Sequence, residues 1–219
     1  MLIQLVNTGL RKTPTWVLYV TLPIPGILAI LAGLMDSLGP EPIKELEKEL
    51  GGFALKLLIL GLAVTPLLRF TRINLMRFRR QIGVVAFGYL SAHFLTWLLL
   101  DVQVLSQIWV DILNRPFITV GLAGFVMTIP LALTSNNWSV RRLGHLWRIL
   151  HRLIYIAAVL GGVHYIMLVK GFQIEPLIYM SVILTFLAVR VPYWRRSFQS
   201  FGGKVWLWWS RVVSFCQPK

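Results

Sequence analysis

Six long apolar stretches alternate with short polar ones along this chain: Trp16–Met35, Gly52–Leu68, Ile82–Leu100, Phe117–Thr134, Leu153–Val169 and Pro176–Val191. Each is near the ~20 residues a helix needs to cross ~30 Å of hydrocarbon. None alternates apolar with polar residues as a barrel strand does, and a lone segment in lipid satisfies its backbone only as a helix. The pattern predicts an all-α polytopic membrane protein, a bundle of about six transmembrane helices.

Local features refine this outline. Pro23, Pro25 and Gly26 inside the first stretch predict a kink or break. That stretch follows Arg11 and Lys12, yet it is too long for a signal-peptide core and no small-x-small site follows Met35, so it reads as a retained helix. Three shorter stretches place apolar residues on one helical face: Pro42–Leu50 (Ile43, Leu46, Leu50), Val104–Leu113 (Leu105, Ile108, Trp109, Ile112) and Val205–Val213 (Trp206, Trp208, Trp209, beside Lys204 and Arg211). They read as surface helices or, equally, as loops with anchoring aromatics. Lys56 lies one turn into the second stretch, where it can snorkel outward.

Charge fixes an orientation. Of 22 Lys+Arg, two precede the first stretch, five lie between the second and third, four between the fourth and fifth, and six run from the end of the sixth onward. None of these segments carries an acid. All eight acids fall in the other loops: Asp36, Glu41, Glu45, Glu47, Glu49, Asp101, Asp111 and Glu175. Basic loops face the cytoplasm, so both termini are expected there. The net charge of +14 would suggest nucleic acid in a soluble protein, but here topology accounts for it and no nucleic-acid partner is expected. With 57% hydrophobic residues, 14% charged and a mean hydropathy of +0.71, the chain is too apolar for a soluble domain, and 219 residues suit one domain over 1–219. Cys216 is the one cysteine. That excludes an internal disulfide, a cluster held by several thiolates and covalent C-x-x-C-H haem attachment.

Candidate chemistry rests on histidine. An ionisable residue inside a membrane span is costly and reads as functional by default. His93 lies about eleven residues into the third stretch and His164 about eleven into the fifth. Both helices run outward from the cytoplasm, so at ~1.5 Å per residue both sit roughly 17 Å deep. Two imidazoles at one depth on separate helices can ligate one metal from opposite sides, haem iron above all. The alternative is two buried histidines, each hydrogen-bonded to a neighbour's carbonyl. His151 begins the fifth helix, ~20 Å along the axis from His164 and rotated by about 220° in an ideal helix. The facing end of the third helix carries Arg77, Arg79, Arg80 and Gln81 rather than a histidine, so one haem is better supported than two. His145 lies in the basic loop and reads as solvated.

Arg77, Arg79 and Arg80 cluster at one loop, and Arg141, Arg142, Arg148 and Arg152 at another. They read as topology and lipid contact, or as partners of haem propionates or a flavin phosphate, with Arg79, Arg80, Arg148 and Trp147 the candidates. The chain has no phosphate-cradling glycine loop and no dinucleotide fingerprint.

The stretch from Arg79-Arg80-Gln81-Ile82-Gly83 through Phe87 and Tyr89 to His93 resembles the third helix of the ferric-reductase-like transmembrane family. Residues 115–121 (RPFITVG), 131–135 (LALTS), 147–155 (WRILHRLIY), 65–67 (TPL) and the acidic first loop resemble one branch of it. That branch comprises haem-binding membrane subunits of periplasmic methionine sulfoxide reductase systems. The likeness covers nearly the whole chain. It implies haem b, with His93, His151 and His164 at the haem-associated positions and His145 outside them. It also implies FMN, for which the sequence shows no motif of its own. Electrons would come from the quinone pool or a cytoplasmic flavin reductase and pass to a periplasmic molybdopterin enzyme, across a bacterial inner membrane. Ferric reductases and NADPH oxidases of the wider family carry two histidines on each of two helices. Here the third helix has one, which weighs against a second bis-histidine haem.

The leading expectation is therefore a haem-based electron conduit, with the substrate chemistry on a partner. A reductase of ferric iron or another small acceptor is the nearest alternative. A small transporter using the histidines as a proton relay is the alternative from another class.

Overall fold

The first apolar stretch breaks where its prolines predict. In the computed structural model, which describes residues 2–102, 105–169 and 171–190, α1 (Leu2–Lys12) is followed by α2 (Val17–Thr21) and α3 (Ile24–Leu34). The two halves of the first span meet at Pro23. Tyr89 repairs the gap from outside: its hydroxyl accepts from the Gly26 N–H at 2.8 Å and donates to the Leu22 carbonyl at 2.9 Å. Those two groups are four residues apart, the pair that an unbroken helix would join directly. Gly26 is required because a Cβ there would run into the Tyr89 ring. Lipid offers no water to the freed groups, so the splice removes a cost of roughly 1–3 kcal/mol per unmet group.

The second span is longer than the sequence suggests. Pro42–Leu50 is not a separate surface helix but the first part of α4 (Pro42–Thr71), thirty residues without interruption. Leu46 and Leu50 are buried in the core, which carries the helix through Gly51 and Gly52. Pro42 sits in its first turn, where no N–H bond is lost. After a 3₁₀ turn at Met76–Phe78 come α5 (Arg79–Thr96) and a π-helical turn at Trp97–Asp101. Then follow α6 (Leu105–Asn114), near the expected surface helix, and α7 (Pro116–Leu133). Two short helices, α8 (Asn137–Leu143) and α9 (His145–Leu150), lead to α10 (Leu153–Leu168) and α11 (Ile174–Ala188). Among the described residues every regular element is helical, and five spans are long and apolar enough to cross a membrane. The sixth, α11, is apolar but has fifteen residues. The chain is a polytopic all-α membrane protein. The expected helix at Val205–Val213 and Cys216 lie outside the described residues.

Two helix pairs build the bundle. α4 packs along α5, and α7 along α10. Leu50, Ala54, Leu58 and Val64 of α4 meet Ile82, Val85, Ala86 and Tyr89 of α5. On the other side of α4, Leu55 and Leu62 join Ala158 of α10 and Ile183 of α11. α7 approaches α10 closely at Gly124, where a Cβ would sit 3.7 Å from the Ala157 carbonyl, the small-residue contact by which membrane helices gain dispersion. Outward-facing Leu28, Leu31, Val126 and Leu184 are exposed, as lipid contact requires. Lys56 is exposed too, its ammonium 5.1 Å from the Phe53 ring centre.

α1 has no counterpart among the apolar stretches; from the sequence this segment contributes only Arg11 and Lys12 to the charge pattern. It caps the turn after α4: Asn7 donates to the Arg72 carbonyl and accepts from the Asn74 N–H, both at 3.0 Å. Arg77 donates to the carbonyls of Leu10 and Arg11. One arginine of the first basic cluster is thus spent on the end of α1.

Candidate metal centre

His93 and His164 meet in the bundle interior. Their rings lie 6.3 Å apart, centre to centre, with planes inclined by 76°. Two imidazoles that met one metal from opposite sides would sit about 6.4 Å apart, from ~2.1 Å per metal–nitrogen bond and roughly 1.1 Å from nitrogen to ring centre. The observed spacing fits that arrangement.

Each ring is tied to the helix paired with its own. His93 Nδ1 lies 2.8 Å from the carbonyl of Glu47 on α4, and His164 Nδ1 lies 2.7 Å from the carbonyl of Phe117 on α7. A carbonyl can only accept, so Nδ1 carries the proton in both rings. That leaves Nε2 as the coordinating nitrogen of each neutral ring. The hydrogen bonds foreseen as the alternative to ligation are therefore present, and they are also what a ligating histidine uses to fix its tautomer. Among the described residues no group of three or more His, Cys, Asp or Glu gathers to hold a metal. Two imidazoles alone suit an ion whose other ligands come from a macrocycle.

His151 stands apart from this pair. It caps α9 before α10 begins, at the end of the bundle opposite His93 and His164. The helix is interrupted at His151–Arg152, so the ideal rotation between His151 and His164 does not apply. Its Nε2 lies 3.0 Å from the Thr134 hydroxyl, at the end of α7. That hydroxyl gives its one hydrogen to the Pro130 carbonyl at 2.6 Å, so His151 must donate from Nε2 and carries its lone pair on Nδ1. Trp147 stacks on the ring with centres 3.9 Å apart and donates from Nε1 to the Thr134 carbonyl at 2.9 Å.

The arginine candidates divide. Arg79 and Arg80 lie within electrostatic range of His151, and Arg80 also donates to Asn137 on α8 at 2.7 Å. Arg148 is exposed on α9, and so is His145. The structure adds one cation that the sequence reading counted only as topology. Arg190 is buried, donating to the Tyr155 hydroxyl at 2.7 Å and to the Leu62 carbonyl. Its Nε has no hydrogen-bond partner among the described residues. Nothing in sequence spacing marks it, since it sits at the polar edge of an apolar run.

Fold and site define a helical membrane protein with a paired-imidazole core and a cationic layer at its other end. Residues 50–162 match the family model described as ferric reductase like transmembrane component. Curated relatives from Brucella ovis, Brucella melitensis biotype 2 and Brucella suis biovar 1 are each 43% identical over 199 residues, 86% of this chain and 90% of the relative. Each is named protein-methionine-sulfoxide reductase heme-binding subunit MsrQ. The chain belongs to the ferric-reductase-like transmembrane family, in its MsrQ branch. No solved structure matches it significantly.

Proposed function

We propose that this chain is the haem-binding membrane subunit of a protein-methionine-sulfoxide reductase system, carrying electrons on one b-type haem between His93 and His164. The observation that carries this reading is the 6.3 Å spacing of two rings that both keep Nε2 for a metal. The relatives' printed name supports haem and the reductase system. When bound, haem supplies one-electron transfer. The chain's own part is to fix both imidazole tautomers through the Glu47 and Phe117 carbonyls and to surround the pair with apolar helices, which limits water and sets the potential.

The finer assignments follow from sequence and likeness. The whole of 1–219 acts as one domain in a bacterial inner membrane. Both termini face the cytoplasm, placing the His93–His164 layer toward the periplasm and His151 toward the cytoplasm. A reporter active only after export should stay silent at the C-terminus; an active one would invert this orientation. Electrons enter from quinone or a cytoplasmic flavin reductase and leave to a periplasmic molybdopterin enzyme, where methionine sulfoxide is reduced. His151, Trp147, Arg79 and Arg80 serve the entry side, by a propionate or a flavin phosphate, with exposed Arg148 at its edge. FMN rests on family likeness, and the cations near His151 are where its phosphate would be held.

The test is the visible spectrum of the purified protein with haem quantified as its pyridine complex. The expected result is a low-spin b-type spectrum with about one haem per chain. Absence of a Soret band from the freshly purified protein would overturn the reading and favour a proton-relay transporter.

A further inference from the structure

His93 and His164 are held by the same device, built twice. Each Nδ1 donates to a carbonyl, Glu47 or Phe117, and four residues further along each of those helices stands a glycine, Gly51 or Gly121. In a helix the carbonyl of residue i already accepts from the N–H of residue i+4, so that glycine lies directly beside the shared carbonyl. A side chain at that position would stand where the ring comes in. A Cβ on Gly121 would lie 2.7 Å from His164 Nδ1 and 2.9 Å from its Cε1. A Cβ on Gly51 would lie 3.2 Å from His93 Nδ1 and 3.3 Å from its Cε1. The carbonyl-to-histidine separations along the chain, 46 and 47 residues, are nearly equal although the intervening segments differ in structure.

We propose that Gly51 and Gly121 are positioning residues, each a notch that seats one imidazole against a helix backbone so that Nδ1 reaches the carbonyl and Nε2 is left for the metal. The proposal rests on the haem reading above. Neither glycine touches the metal; each acts through its histidine. Both backbones are ordinary helix, so the need for glycine is steric at these positions.

The two notches differ in tightness, which grades the outcome. In Gly121→Ala the ring must move, because a contact under 3.0 Å with Nδ1 cannot stand. In Gly51→Ala a shift of a few tenths of an ångström suffices. Gly88→Ala is the control: it lies on α5, as His93 does, and a Cβ there meets nothing within 4 Å. The experiment measures haem content, spin state, the ferric low-spin EPR spectrum and the midpoint potential of the three purified variants. EPR is included because it reports the angle between two axial ligand planes, which a merely destabilised protein would not change. Gly121→Ala should hold haem about ten-fold more weakly, the scale of losing an outer-shell partner of a metal ligand, and purify with less of it low-spin. Gly51→Ala should keep its haem but show altered EPR g-values and potential, and Gly88→Ala should match wild type. If Gly121→Ala fails to accumulate, Gly51→Ala carries the test alone. Wild-type g-values and potential in Gly51→Ala, or in an accumulated Gly121→Ala, would overturn the positioning role. A wild-type protein without haem would sink the functional reading instead, so the two failures are distinguishable.

Discussion

The two ends of this bundle use the same side chain in opposite tautomers. At one end His93 and His164 give their Nδ1 protons to main-chain carbonyls and keep Nε2 open. At the other, His151 gives its Nε2 proton to a threonine hydroxyl whose own hydrogen is already committed. At the first end each ring meets a main-chain carbonyl, and the Phe117 ring lies 6.2 Å from that of His164. At the second, Trp147 stacks on the ring and Arg79 and Arg80 act on it electrostatically, while the buried Arg190 lies within range of Arg79. A histidine is therefore not assigned by residue type or depth alone. The partner of its other nitrogen decides what the ring can do.

The largest expected effect lies at the paired end. His93→Ala and His164→Ala should each abolish the low-spin haem or convert it to a high-spin form, because iron then keeps one strong protein ligand and the core gains a void. Both remove one centre, so the double variant should be little worse than either single one. Optical and EPR spectra of the three variants decide this. Loss of separate halves of the haem in the two single variants would assign the rings to different haems and dissolve the contrast between the ends.

A smaller effect is expected at the other end. His151→Ala should keep more than about half of the low-spin haem, because His93, His164 and their two carbonyls are untouched. It leaves the Thr134 hydroxyl without its donor and removes the ring under Trp147, so disturbance should concentrate there. Spectral titration beside the paired-end variants makes the comparison. Loss of haem as complete as in His93→Ala would merge the two ends into one site.

What could be read in advance was what periodicity and depth encode. The six apolar runs, the proline break in the first and the equal depth of His93 and His164 all come from spacing along helices of fixed rise. The remainder depends on which faces of separate helices meet. The repair of the α2–α3 break by Tyr89 joins residues more than sixty apart. Gly51 looked like a boundary between a surface helix and a span; its role beside His93 exists only once α4 lies along α5. The tautomer of His151 turned on the single hydrogen of Thr134, and Arg190 on a carbonyl far along the chain. None of these leaves a periodic trace.

The smallest effect is expected at His145, and it tests where the second end stops. This residue opens α9, six positions before His151, just after Gly144 with its φ of +51°. It is exposed, while His151 is half-buried between Thr134 and Trp147. His145 is exposed and stands outside the histidine positions that the family likeness associates with haem, so His145→Ala should leave haem content and spin state as they are. The measurement is haem per chain together with the spin state, compared with His151→Ala prepared alongside. A loss of half the haem would mean that the segment around Gly144 turns inward and brings an imidazole to His151. The second end would then hold a histidine pair of its own, and the two-haem arrangement of the wider family, set aside because the third helix carries one histidine, would return with its ligands on a different segment.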